Sequence, residues 1–329
     1  MENERILPAK KRYGKIGWIY LAGSLLFLGV QLGAQALMRM FFPTLAAGAS
    51  LMLVFSMLPM YAVIVPYFCL LLRPVPASPP ERHSLTAGQF FTALLMCYAL
   101  MYAGNWAGQL ITTSLGALRG SPVQNPLLNV VLDLNPWIAF LVTVLLAPLV
   151  EELIFRKLLV DRTVPFGQKR AVLLSGLMFG LFHGNLNQFA YAFLLGLFFA
   201  FLYVKTGRLR YPILLHMIIN FMGSVAGLLM MEYSGILSFL EMLDQPVLAM
   251  ESLMGRLPQL LVFFCYSVVL LAAAAAGIVL LIVNRKSFTL DAGGDPLCYT
   301  GRNPLLLASA GMFLYCLFWT VLILFQLFY

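Results

Sequence analysis

The sequence predicts an all-α, polytopic membrane helix bundle, and three observations predict it. Hydrophobic residues fill 61% of the 329 positions, only 10% are charged, and mean hydropathy is +0.90. A soluble domain averages about 45–50% apolar and about 25% charged residues, so an ordinary cytosolic protein is excluded. The apolar residues also gather into runs near the roughly 20 residues that cross a bilayer as a helix.

Nine such stretches can be marked, at 17–39, 47–72, 87–117, 136–160, 170–184, 187–205, 210–231, 257–284 and 305–328. The basic start runs into an apolar stretch longer than a signal peptide's core, with no small-residue cleavage signal, so the first helix is expected to be retained. The third stretch contains Asn105 and Gln109 and is expected to face other helices rather than lipid. The fifth and sixth are short. They are separated by the polar run His183 to Gln188, which can turn inside the membrane where protein or water satisfies its backbone, so eight or nine transmembrane helices are expected.

The charge pattern predicts orientation. Of 21 Lys and Arg residues, 18 fall on inner segments if the N-terminus is cytoplasmic, leaving Arg39, Arg119 and Arg256 outside. Positive residues collect on the cytoplasmic side of multi-pass proteins, which predicts a cell-membrane protein with a cytoplasmic N-terminus and an external C-terminus. The same placement accounts for the net charge of +8 with no nucleic-acid partner. Five cysteines, at 69, 97, 265, 298 and 316, form no CxxC pair and read as small apolar residues. The Pro-rich segment 73–86 reads as a stiff linker with an exposed His83, and the acidic loop 232–256 as a solvated cap.

Charged groups inside spans are costly, and the chain concentrates them in three consecutive patches. The first, Pro148 to Leu159, follows a helix start at Asn135 and Pro136. Pro148 cannot donate to the carbonyl of Val144, which exposes an acceptor near the acidic pair. Glu152 and Arg156, four apart, share a helix face; Glu151 is turned about 100° away, free to face a cavity. The second patch, Ser175 to Gln188, spaces Gly176, Gly180 and Gly184 by four for close helix packing, with Phe179 and His183 beside that ridge. Asn187, four residues further, is expected to orient the imidazole or line the cavity if the helix continues. The third patch places His216 and Asn220 on one face of a helix that starts near Pro212.

If these helices converge, a carboxylate and two imidazoles meet in one pocket and can activate water. Glu151 would accept a proton while His183 holds the water, and His216 and Asn220 would donate to a developing oxyanion. Glu and His are also suitable zinc ligands, so a zinc-dependent version stays open, although no HExxH pair is present. A non-catalytic immunity or scaffold protein, and less readily a transporter, are the other classes.

The motifs EELIFR at Glu151 to Arg156, FGLFH at Phe179 to His183 and HMIIN at His216 to Asn220 occur in that order on successive membrane helices. The chain here resembles the CAAX-protease and bacteriocin-processing (CPBP, or Abi) family of intramembrane endopeptidases. The resemblance implies a helical bundle with an intramembrane cavity open toward the cytoplasm and a membrane-associated protein or peptide substrate, lipidated or not. It implies water activation by Glu151 and His183, oxyanion stabilisation by His216 and Asn220, and supporting roles for Glu152 and Arg156; the family is described both as glutamic protease and as metalloprotease, so the expectation is no cofactor, with zinc possible. It divides the chain into N-terminal helices of unassigned role (1–129), a catalytic core (130–231), and an external loop with C-terminal helices (232–329).

Overall fold

The computed structural model describes residues 2–325 except 47, 122, 124–133, 243, 245–246, 248–249, 252–253 and 292–308, and the side chains among these except at 2–8, 240 and 241. The expected boundary at 129–130, Cys298, Arg302 and the ends of the last expected span lie outside the described residues.

The described residues form helices and no strand. The longer ones, in chain order, are α1 (Glu2–Phe41), α2 (Ala49–Leu72), α3 (Ala87–Arg119), α4 (the compound helix Pro136–Phe166), α5 (Gln168–Phe182), α6 (Leu186–Thr206), α7 (Arg210–Ser234), α8 (Leu257–Val283) and α9 (Ala310–Phe325). Seven are long and apolar enough to cross a membrane. The shorter α5 and α9 occupy the other two expected spans. Much of the outer surface is apolar, as at Leu25, Leu118, Leu261, Phe264 and Val279, which suits contact with lipid.

Two packing groups flank the centre. α1 packs on α2 and α9, while α3 packs on α6 and α8, and α5 runs against α6. One core cluster joins residues of α1, α2, α4, α5 and α9, including Tyr20, Phe68, Phe155, Met178 and Tyr315. It draws on all three stretches of the expected division. The second cluster joins α3, α6, α7 and α8 around Cys97, Phe199 and Leu215.

The linker 73–86 is pinned as well as stiff. Ser78 N–H donates to the Asp161 carbonyl at 2.6 Å and His83 N–H to the Thr206 carbonyl at 2.8 Å. Arg162 closes the same end, with Nε and Nη2 donating to the Leu72 carbonyl at 3.0 and 2.9 Å. The His83 side chain stays exposed beside Glu81, away from the polar centre.

Candidate active site

α4 carries the acidic pair and is irregular on both sides of it. Asn135 caps its start, accepting from Trp137 N–H at 3.0 Å, and Pro136 fills the first helical position. The helix then widens to π geometry over Phe140–Leu146, and Ala147 N–H pairs with the Val142 carbonyl five residues back. In that register the next carbonyl, that of Thr143, would pair with residue 148, but Pro148 has no N–H. The freed Thr143 carbonyl accepts from Asn220 Nδ2 at 2.8 Å. The α-helical spacing predicted the freed acceptor at Val144, and the π register moves it one residue earlier.

A second π stretch, Leu153–Leu158, follows the acidic pair directly. The Ile154 carbonyl accepts from Tyr20 Oη at 2.6 Å and the Phe155 carbonyl from Ser175 Oγ at 2.7 Å, so α1 and α5 brace the helix there. The extra residue per turn leaves carbonyls that only tertiary partners can satisfy.

Glu152 and Arg156 are fully buried, with Arg156 Nε 3.0 Å from Glu152 Oε2. The distance is that of an ion pair, but its direction is poor, and the Arg156 N–H groups have no hydrogen-bond acceptor among the described residues. The guanidinium instead lies 4.3 Å over the Phe179 ring and 5.5 Å from the Phe199 ring centre, where the electron-rich faces offset its charge. Arg156 therefore belongs to the buried centre, although the sequence counted it among inner-segment charges. The other Glu152 oxygen lies 3.0 Å from His216 Nδ1, and His216 Nε2 lies 3.8 Å from Glu151 Oε2. His216 thus stands between two carboxylates. In its protonated form it and Arg156 together would balance both negative charges.

His183 sits at the end of α5, its Nδ1 2.9 Å from the Phe179 carbonyl. A carbonyl only accepts, so Nδ1 carries the proton and Nε2 the lone pair. Phe179 meets His183 edge-on at 4.8 Å and His216 at 5.8 Å. One phenylalanine thereby orients the imidazole through its backbone and separates it from the Arg156 cation through its ring.

Glu151, His183, His216 and Asn220 all line one cavity of about 660 Å³. Its polar side is built by α4, α5, α6 and α7. The lining from the other helices is mostly apolar, with Phe27 and Leu32 of α1, Met57 and Ile64 of α2, and Trp319 and Leu322 of α9; Gln31 and Tyr61 are its polar members.

After His183 the helix does not continue to Asn187, and the chain turns within the polar run His183 to Gln188, as that run allowed. α5 stops there, Gly184 turns the chain at φ +67, and Asn185 caps a new helix by accepting from Gln188 N–H at 2.9 Å. Asn187 is therefore not the next turn of the histidine helix. It is absent from the cavity lining, and its carbonyl approaches Gly108 of α3. Asn185 and Gln188 line the cavity in its place. Of the three spaced glycines, Gly176 and Gly180 do pack closely on Leu197 and Phe193 of α6, whereas Gly184 serves the turn, against the Trp319 ring. Tyr61, Thr143, Tyr191 and Trp319 also line the cavity, and the sequence reading singled out none of them. Besides the polar run, the stop-and-cap pattern of Gly184 followed by Asn185 signals the break.

Among the described residues no three His, Cys, Asp or Glu side chains group closely enough to hold a metal ion. His216 and His183 each hold Nδ1 on an oxygen and keep Nε2 free, so it is the spacing of the groups, not their hydrogen bonds, that departs from a zinc site of three protein ligands. The cavity does offer two proton acceptors, the Glu151 carboxylate and His183 Nε2, together with donor groups on His216 and Asn220.

Residues 133–222 match the family model described as "Type II CAAX prenyl endopeptidase Rce1-like". That stretch is an Rce1-like segment. The stretch that resembles this endopeptidase family contains all three motifs. Over 162 residues the chain is 28% identical to the protein named "Putative membrane peptidase YdiL" of Bacillus subtilis (strain 168), covering 46% of this chain and 62% of that one. Over 99 residues it is 34% identical to CAAX prenyl protease 2 of Homo sapiens, covering 24% and 30%. The chain thus spans less than two thirds of either relative. No solved structure matches it. The Rce1-like segment supplies the polar side of the cavity, whereas α1, α2 and α9 of the apolar wall lie outside it.

The Pro148 arrangement gives a specific expectation. Pro148→Ala restores an N–H that competes with Asn220 for the Thr143 carbonyl. Loss of one net hydrogen bond, about 1 kcal/mol, should lower peptide hydrolysis about fivefold with membrane yield unchanged. A hydrolysis rate equal to wild type would show that Asn220 needs no freed carbonyl to hold it.

Proposed function

We propose that this chain is a multi-pass cell-membrane endopeptidase that hydrolyses a peptide bond of a membrane-associated or lipidated protein or peptide, using water activated by Glu151 and His183. The observation that carries this reading is the pairing of two acceptors with two donors on one intramembrane cavity. A water that gives one hydrogen to Glu151 and the other to His183 Nε2 directs a lone pair at the scissile carbonyl carbon. As its oxygen bonds to that carbon, Glu151 takes a proton and the carbonyl oxygen becomes negative. In its doubly protonated form, with Nδ1–H held by Glu152, His216 can donate Nε2–H to that oxygen, together with the second Asn220 Nδ2 hydrogen, the first being held by Thr143. Collapse of the intermediate breaks the C–N bond, and the proton on Glu151 passes to the leaving amine. Glu152 and Arg156 act through His216, holding it in place. No covalent enzyme intermediate and no metal ion enter these steps.

The apolar wall of α1, α2 and α9 supports a substrate that brings a hydrocarbon surface into the cavity. The name of the human relative, CAAX prenyl protease 2, supports the same class. The charge pattern supports a cytoplasmic N-terminus.

The test compares membrane peptides from cells carrying the wild type and Glu151→Ala. An intact membrane-associated precursor should accumulate in the variant, and identical profiles would overturn the reading. Turnover by purified protein should survive exhaustive chelation; its loss, with recovery on adding zinc, would favour the metal-dependent version. Labelling from outside the cell should reach a cysteine placed at Asp244 but not one placed at Lys10, and the reverse would invert the topology.

A further inference from the structure

Tyr191 on α6 lines the cavity beside the acceptor and donor groups, yet the mechanism above leaves it unused. Its hydroxyl is held by a chain of hydrogen bonds whose direction can be worked out from fixed ends. Asn185 Nδ2 lies 3.0 Å from the His183 carbonyl, which can only accept, and Asn185 Oδ1 takes Gln188 N–H at 2.9 Å, which can only donate. Both ends of the Asn185 amide are thereby assigned. Its Nδ2 also meets a Gln188 side-chain atom at 2.5 Å, so that atom must be the acceptor Oε1. The other end of Gln188 is then Nε2–H, and it lies 2.7 Å from Tyr191 Oη. Tyr191 Oη accepts there. Its own proton has no acceptor among the described residues.

Position supports the same conclusion. The Tyr191 backbone lies against Gly104 of α3, where any Cβ would collide with it, so the ring has a fixed base. Its ring centre lies 6.4 Å from that of His183, and both side chains line the cavity with Glu151. The chain begins on the His183 carbonyl and ends at the Tyr191 hydroxyl, so one short turn presents an acceptor and a donor together. In the reading above, Glu151 and His183 take the two hydrogens of the water. The remaining group in the reaction that needs a donor is the carbonyl oxygen.

We propose that Tyr191 is a catalytic residue whose Oη–H, fixed by the Asn185–Gln188 chain, donates a hydrogen bond to the scissile carbonyl oxygen as that oxygen becomes negative. It keeps its proton throughout and joins His216 and Asn220 as a third donor. A donor whose oxygen already accepts from an amide is polarised toward giving its proton, which strengthens the bond it makes. The proposal rests on the hydrolytic reading, and its test separates the two.

The test uses full-length protein in bilayer discs and an internally quenched CAAX peptide with a prenylated cysteine. Tyr191→Phe keeps the ring and its packing and removes only the hydroxyl. It should lower kcat about 10²-fold, the scale of one lost oxyanion donor, with KM within about threefold of wild type. Gln188→Leu leaves the hydroxyl free to rotate and should lower kcat about tenfold, since the loss is one of orientation. Incorporating 3,5-difluorotyrosine at position 191, a conservative donor, should recover most of the rate lost in Tyr191→Phe. Wild-type kcat in Tyr191→Phe, with Glu151→Gln inactive, overturns the role of Tyr191 and leaves the hydrolytic reading standing. No rescue by difluorotyrosine in a folded protein likewise overturns it. Absence of cleavage by the wild type of both this peptide and every membrane peptide compared between wild-type and Glu151→Ala cells, or full activity in Glu151→Gln, overturns the hydrolytic reading itself.

Discussion

Glu151→Gln and His183→Ala should each insert normally and lower peptide hydrolysis at least about 100-fold, because acid–base assistance is typically worth 10²–10⁴. Glutamine fills the place of Glu151 but cannot take a proton from water, and alanine removes the Nε2 lone pair that the Phe179 carbonyl holds toward the cavity. Neither side chain belongs to the buried ion pair, so folding has little to lose. Glu151 keeps 17% of its side chain exposed, against 0% for Glu152. Combining both changes should cost much less than the product of the single effects, since the two groups act on one nucleophile. Purified variants assayed on one substrate decide it. Near-normal turnover in Glu151→Gln would remove Glu151 as the base, and multiplicative losses in the double variant would mean that the two residues serve different steps.

How far the sequence could lead is clear from particular residues. The i,i+4 relation of Glu152 and Arg156 and the rotation of Glu151 away from them follow from helix geometry alone, and the structure shows both. The same holds for His216 and Asn220, which share the cavity face of α7. Two departures from regular α geometry defeated the spacing arguments, although the Glu152–Arg156 pair survives a π stretch. The π register of α4 shifted the freed carbonyl from Val144 to Thr143. The break at Gly184 put Asn187 on a different helix, so that Asn185 and Gln188 reached the cavity instead. The apolar wall was not legible at all, since Phe27, Met57 and Trp319 come from runs whose composition says only that they lie in lipid or against protein. Their meeting depends on tertiary packing between segments nearly 300 residues apart, as in the 3.0 Å bond from Trp319 Nε1 to Ser24 Oγ.

The largest effect on stability is expected at Glu152 and Arg156, and there stability and activity should separate. Glu152→Leu leaves a fully buried guanidinium facing two aromatic rings with no counter-charge, and Arg156→Met leaves a fully buried carboxylate with only His216 beside it. Removing one partner of a buried pair typically costs 3–5 kcal/mol, so each single variant should unfold at lower temperature and give less protein in the membrane. The double variant Glu152→Leu/Arg156→Met buries no orphaned charge and matches the original side chains in approximate length. Replacing both partners by packed apolar groups is often neutral for stability, so its yield and thermal midpoint should recover toward wild type. Activity should not recover with them. His216 loses the carboxylate oxygen 3.0 Å from its Nδ1 and, with it, the orientation of Nε2 toward Glu151 and the cavity. Thermal unfolding read beside turnover gives the answer. A double variant as unstable as the singles would mean that the pair does more than neutralise itself, and a double variant with full turnover would end the role of Glu152 in positioning His216.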